Sequence, residues 1–289
     1  MSEKVLHQNL FQKEPDGDAF VIHLLMQDKC PVPEKKDVIR IMQKHLGDID
    51  CFSHDDKNIG FAVKKYPLKF DEKTVYPMLM LTDCFLNEKL SFDELTRSQM
   101  WDCPESDEII ARCHYDVVAV DMLSAFMDYK DRTDMLMDFT EALAELYPTC
   151  EAVYFDRSGK MFTRQAILEH TVPRKDRFIY FAVNVRFFHI EGSNDMLIDS
   201  LGMSEVNLPD VQYHFHGLDP NSVVNHAYNV LSYIYENNCP IESGETIDGL
   251  KDGKLSRDIQ WICRFEESLI QPSRTVMDIN TLEFASGRR

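Results

Sequence analysis

Two histidines, two residues apart among apolar neighbours, give the densest chemical signal in this chain. In Leu208-Pro209-Asp210-Val211-Gln212-Tyr213-His214-Phe215-His216-Gly217-Leu218-Asp219-Pro220, a strand turns Gln212, His214 and His216 to one side and Val211, Tyr213 and Phe215 to the other. Two imidazoles on one face can supply adjacent metal ligands. Asp210 or Asp199 could add a carboxylate, and an open coordination position would then activate water for hydrolysis. The plainer reading is a polar sheet face, with Tyr213 and Phe215 packed inward.

Arg186 lies within the apolar run Phe178 to Phe188, and Arg274 follows Gln271-Pro272-Ser273 just ahead of Val276-Met277-Asp278-Ile279. Both could clamp a small anionic ligand. A buried guanidinium is more often held by a carboxylate of its own chain, and for Arg274 the candidates are Asp199 and Asp278. Trp101, beside Arg97 and Asp102, is either a half-buried indole or an aromatic anchor in a ligand or partner site. Asp219 reads as a helix N-cap ahead of Pro220, and His226, four residues after Ser222, as a satisfied histidine on that helix. Asp116 and Asp121 bracket a strand and carry no catalytic weight. The candidates for binding a ligand or partner are therefore Trp101, Arg186, Asp199, Asp210, Gln212, His214, His216, Asp219 and Arg274, and none is assigned to catalysis. No G-x-S-x-G, P-loop or G-x-G-x-x-G is present, so nothing implies a nucleophile elbow, a phosphate cradle of those kinds or a cofactor.

The elements that must position these residues follow from periodicity and punctuation. After a polar leader ending Pro15-Asp16-Gly17-Asp18, Ala19 to Met26 is a short apolar run that reads as a buried strand. Val38, Ile39, Met42 and Leu46 recur at helical spacing between Pro33 and Gly47. Strands are expected over Ile49 to Ser53, Ile59 to Lys65 and Pro77 to Thr82, a helix from Ser106, and a strand over His114 to Val120. A connecting helix over Arg132 to Leu146 leads to a strand at Ala152 to Phe155 and a Thr163-capped helix to His170. A long strand over Phe178 to Phe188, strands over Met196 to Leu201 and Val211 to His216, a helix from Asp219 and a strand over Ile259 to Phe265 complete the chain. The expectation is an α+β protein of two β-α-β-β-β-α-β, ferredoxin-like halves, residues 1–125 and 126–289, joined by a helix as an internal duplication.

Composition limits the function classes. The 289 residues hold 31 Lys and Arg against 49 Asp and Glu, a net charge of −18, with 44% hydrophobic and 28% charged residues. This is the composition of a folded soluble protein, and no apolar run reaches the ~20 residues of a membrane span. The first dozen residues lack a secretory pattern, which points to the cytoplasm. The eight cysteines form no C-x-x-C pair and read as buried thiols. Residues 101–150 carry twelve acids against three bases, and 201–250 carry seven acids with no Lys or Arg. Such surfaces repel phosphate backbones and anionic lipids, which argues against nucleic-acid and membrane partners and allows steering of a basic protein.

Several of these residues recur together in a known pattern: Arg97-Ser98-Gln99 with Trp101-Asp102-Cys103-Pro104, Asn184-Val185-Arg186, Asp199 to Gly202 and Leu208 to Pro220. It continues through Gly244-Glu245-Thr246-Ile247-Asp248-Gly249, Gln271-Pro272 with Arg274, and Ala285-Ser286-Gly287-Arg288. In this the chain resembles bacterial proteins grouped as domain of unknown function 4261, over nearly its whole length. The resemblance implies a bacterial cytosolic protein and carries no activity, cofactor or catalytic residue with it. The leading expectation is a non-enzymatic binding protein whose acidic surface meets a basic protein, an inhibitor or immunity role toward a basic toxin being one form. The alternatives are a metal-dependent hydrolase using His214 and His216 with Asp210 or Asp199, and an anion-binding module using Arg186 and Arg274.

Overall fold

In the computed structural model, which describes residues 19–287, the chain divides between Ala182 and Val183 into two compact units. The polar leader through Asp18 and the terminal Arg288 lie outside the described residues.

Residues 19–182 contain β1 (Val21–Met26), α1 (Lys35–Leu46), β2 (Ile49–His54), β3 (Asn58–Val63), β4 (Leu68–Phe70), β5 (Lys73–Val75), β6 (Met78–Thr82) and β7 (Phe85–Leu86). They continue with α2 (Glu94–Ser98), α3 (Ser106–Arg112), β8 (Tyr115–Met122), α4 (Tyr129–Leu146), β9 (Cys150–Phe155), β10 (Lys160–Thr163), α5 (Arg164–Leu168) and α6 (Arg177–Ala182). The main sheet runs β10-β9-β1-β8-β6-β3-β2, antiparallel throughout, with β7 added to β8. The apolar β1 sits inside this sheet because both of its faces are covered. On one face α1 buries Val38, Ile41, Met42 and Leu46 beside α4, and Phe61 meets Phe139 edge-on with ring centroids 5.8 Å apart. Gly47 ends α1 at φ +79°, its N–H donating to the Gln43 carbonyl at 3.0 Å. On the other face Leu25, Ala152, Tyr154 and Met161 pack with Met100, Cys103 and Ile109. Each fully buried large apolar side chain contributes roughly 2 kcal/mol there.

Residues 183–287 contain β11 (Asn184–His189), β12 (Met196–Leu201), β13 (Asp210–Phe215), α7 (Pro220–Asn237), β14 (Thr246–Lys251), β15 (Lys254–Glu267) and β16 (Thr275–Asn280). The sheet order is β11-β12-β13-β16-β15-β14, with β13 and β16 parallel and every other pairing antiparallel. Two three-strand meanders thus meet at one parallel pair, and α7 makes the crossover between them. Asp219 caps α7, its carboxylate accepting the Ser222 N–H at 2.9 Å, with Pro220 at the first helical position. Val223, Ala227, Leu231 and Ile234 form the buried stripe of the helix.

The protein is therefore mixed α+β, but the expected pair of like halves gives way to two different sheets. Helix α4 is no connector: it covers the first sheet, and β9 and β10 complete that sheet, so a boundary at 125/126 would cut one unit. Phe178 to Phe188 is not one strand. Arg177–Ala182 is helical, because Arg177 is drawn to α4 by Asp138 (2.7 Å) and Glu141 (2.6 Å), and β11 starts only at Asn184. All eight cysteines are free thiols, with Cys84, Cys103, Cys150 and Cys263 buried and the others part-buried. Among the described residues no helix is long and apolar enough to cross a membrane.

Candidate functional site

The alternation of β13 sends Val211, Tyr213 and Phe215 to the α7 side and Asp210, Gln212 and His214 to the opposite face. Register extends that polar face into a row across five strands: Arg186 opposes Asp199, Asp199 opposes Gln212, Gln212 opposes Asp278, and Asp278 opposes Arg264. Arg186 forks onto Asp199 at 2.9 and 2.5 Å, and its Nη1 donates to the Gln271 carbonyl at 3.1 Å. Arg274 uses all five N–H groups. Nη2 reaches Asp199 (2.8 Å) and the Ser200 carbonyl (2.5 Å), Nε reaches Asp210 (3.3 Å), and Nη1 reaches the carbonyls of Ile270 (3.1 Å) and Pro272 (2.8 Å). Gln212 accepts the Leu269 N–H at 2.7 Å and donates to Asp278 at 3.3 Å. Both arginines and three carboxylates thus hold the 268–274 loop down on the sheet. Asp210 has its pKa raised by burial, against the pull of Arg274 and Ser200. The arrangement spends its charges internally: Arg186 and Arg274 are tied to Asp199 and Asp210.

The two histidines come together with residues other than those expected. Asp199 and Asp210 face the arginines, and Asp195 is the carboxylate near the imidazoles. His214 Nε2 lies 3.7 Å from Asp195 Oδ2. Ser286 donates to Asp195 Oδ1 at 2.8 Å and lies 3.1 Å from His216 Nδ1. The hydroxyl sits between imidazole and carboxylate, which inverts the nucleophile–base–carboxylate order of acyl-transfer triads. The C-terminal segment builds this corner: Ser286 N–H donates to the His214 carbonyl at 2.9 Å, and a Cβ at Gly287 would stand 3.0 Å from the His214 ring. Among the described residues no three His, Cys, Asp or Glu side chains group as a metal centre requires.

Behind the sheet, His226 of α7 is buried between the Tyr213 hydroxyl (2.9 Å from Nδ1) and the Asp248 carbonyl (2.8 Å from Nε2). Burial lowers its pKa, and Trp261 packs beside it at a centroid distance of 4.7 Å. From this anchor a cleft of about 970 Å³ opens between α7 and residues 240–248. Its α7 wall is Asn229, Val230 and Tyr233, and its far wall carries Ile241, Glu245, Thr246 and Asp248, with no Lys or Arg among the lining residues. Nothing in residue type alone marked this cleft, although Gly244 to Gly249 belonged to the resemblance pattern.

In residues 19–182, His23 and Asp116 form a pair the sequence gave no reason to join. His23 Nδ1 lies 2.5 Å from Asp116 Oδ2, which also accepts from Asn87 Nδ2 at 2.8 Å, while His23 Nε2 lies 3.6 Å from Asp156. Asp121 is held by Ser124, by Arg132 at 3.0 Å and by the Phe20 N–H at 2.6 Å. Lys160 is buried, donating to the Tyr180 carbonyl at 2.5 Å with Asp102 at 3.3 Å, and burial lowers its pKa. Trp101, in a turn after α2, is 45% exposed.

The fold and site thus define a mixed α+β protein with an internally neutralised polar face and an acidic cleft. A family model described as a domain of unknown function (DUF4261) matches residues 199–280. That span runs from β12 through β16 and holds the arginine-bound carboxylates and the cleft. It leaves out Arg97 to Pro104, Asn184 to Arg186 and Ala285 to Arg288, so the similarity is narrower than the nearly whole chain. No curated protein and no solved structure matches the chain.

Proposed function

We propose that the protein is a non-enzymatic binding protein that engages a basic protein partner through the acidic cleft of residues 183–287. The observation that carries this reading is the lining of the cleft, which holds Glu245 and Asp248 and no Lys or Arg; Arg257, outside the lining, approaches Asp248 only to 4.0 Å. The acids of residues 101–150 are a weaker source of field. Asp102 is met by Lys160, Asp107 by Arg97, Asp121 by Arg132, Asp134 and Asp138 by Arg174, Glu141 by Arg177, and Glu145 by Lys44. Among the described residues no ion pair comparably neutralises Glu242 or Glu245; the Glu245 carboxylate instead accepts the Glu242 backbone N–H at 2.7 Å.

An inhibitor or immunity role toward a basic toxin is a concrete form of the reading, and the cytoplasm, where free thiols persist, is its natural setting. Surface steering is screened within about 8 Å at physiological ionic strength, so binding must weaken steeply with salt. Capture from native lysate at low and high salt, with mass spectrometry of the eluate, tests it. Enrichment of one basic protein at low salt, lost in a Glu245→Lys, Asp248→Lys variant, is the expected result. Equal capture by that variant, or no specific capture at either salt, overturns the reading.

A further inference from the structure

We infer that the cleft receives the partner as an extended, basic segment that adds a strand to the edge of β14. This rests on the basic-partner reading and specifies how that partner is recognised. Among the described residues β14 ends its sheet, pairing with β15 alone. Its hydrogen-bond phase follows from the ladder. Gly244 N–H donates to the Cys263 carbonyl and Cys263 N–H to the Glu245 carbonyl, both at 2.8 Å, and Ile247 opposes Trp261. Antiparallel alternation therefore turns the backbone groups of Thr246 and Asp248 away from β15. The Asp248 carbonyl is already met by His226 of α7, which closes one end of the edge. Thr246 lies one pleat further on, in the wall of the cleft.

Exposed edges are commonly blunted by a bulge, a lysine or a proline. Here the bulge falls between Asp248 and Gly249, and Lys251 lies beyond it. The approach from Ile241 to Ile247 has neither lysine nor proline, so the protected and the open halves of this edge are distinct. Across the cleft, Asn229, Val230 and Tyr233 share one face of α7 at helical spacing, with Tyr233 48% exposed. An added strand presents alternate side chains to opposite sides. β14 itself turns Glu245 and Ile247 to the α7 side, where Trp261 opposite Ile247 meets His226, and Asp248 to the other. One set would therefore reach Val230, Tyr233 and Glu245 and the other the Asp248 carboxylate, which selects a segment alternating apolar and basic residues.

The test uses the full chain and a fluorescent peptide of about ten residues alternating Lys and Val. Two twins carry backbone N-methyl groups, one on every Lys and one on every Val. Strand addition uses the N–H groups of every second residue, so it predicts an affinity loss of about tenfold or more in one twin only, with slowed hydrogen exchange at the Thr246 amide. Twins that both bind like the parent would make the contact purely electrostatic, and twins that both fail equally would mark a helical or irregular ligand. Either result overturns strand addition while leaving the basic-partner reading in place. Failure of the parent peptide alongside lysate capture of a basic protein does the same, and failure of both overturns the two readings together. Because the probe varies the peptide, the outcome does not depend on a protein variant folding.

Discussion

His23 is 8% exposed and held between two carboxylates, Asp116 on β8 and Asp156 in the turn after β9, which makes it a pH-sensitive brace. Burial lowers its pKa, but hydrogen bonds and charge from Asp116 and Asp156 outweigh this and raise it from 6.5 to about 9. A folded-state value above the unfolded one favours the protonated form in the fold. The stabilisation is fully present below pH 6.5 and is lost as pH rises through about 9, a contribution on the order of 3 kcal/mol. Urea unfolding at about pH 6 and about pH 9.5 should show this loss in the parent and a much flatter response in His23→Gln. Equal slopes in the two proteins would remove His23 as the cause. The pair was not legible in the sequence. Asp116 stood out only as one acid among many, and its partner lies 93 residues away, brought diagonal to it by the β1/β8 register in which Leu25 opposes Asp116. The bond of Arg274 to Asp199 was legible, because a guanidinium in an apolar setting demands a carboxylate and few were placed to serve.

Secondary elements were read best where punctuation and periodicity agreed. Helix α7 has its cap, its proline and its apolar stripe in local sequence, and it begins where expected. Phe178 to Phe188 failed because a short apolar run has the same appearance in a buried helix and a buried strand, and the ion pairs that decide it lie on α4. Strand β14 left little trace, since Thr246 to Lys251 has mixed polarity and two of its neighbours are glycines in turns. The row that crosses β11, β12, β13, β16 and β15 is likewise a product of register. It predicts that Asp199→Ala, which leaves Arg186 and part of Arg274 without a counter-charge, destabilises residues 183–287 by about 3–5 kcal/mol. Denaturant unfolding followed by circular dichroism measures this. A loss below about 1 kcal/mol would mean that the arginines are not held chiefly by that carboxylate, and would reopen their use for an external anion.

At the scale of the whole chain, net charge misleads where local pairing informs. Both acid-rich stretches looked alike in composition, yet 101–150 feeds most of its carboxylates into ion pairs, while 201–250 ties Asp210 to Arg274, caps α7 with Asp219 and sets Glu245 and Asp248 in the wall of a cleft. The same partition is written in the tryptophans. The chain has two, and each unit holds one: Trp101, 45% exposed, in residues 19–182, and Trp261, 1% exposed against His226, in residues 183–287. An indole in water emits at longer wavelength than one sealed in a core, so the protein carries two spectrally distinct fluorophores placed one to a unit. A Trp101→Phe variant reports optically on residues 183–287 alone and Trp261→Phe on 19–182 alone. Superimposable emission curves from the two during unfolding would show one cooperative transition, and displaced curves would give each unit its own stability without cutting the chain.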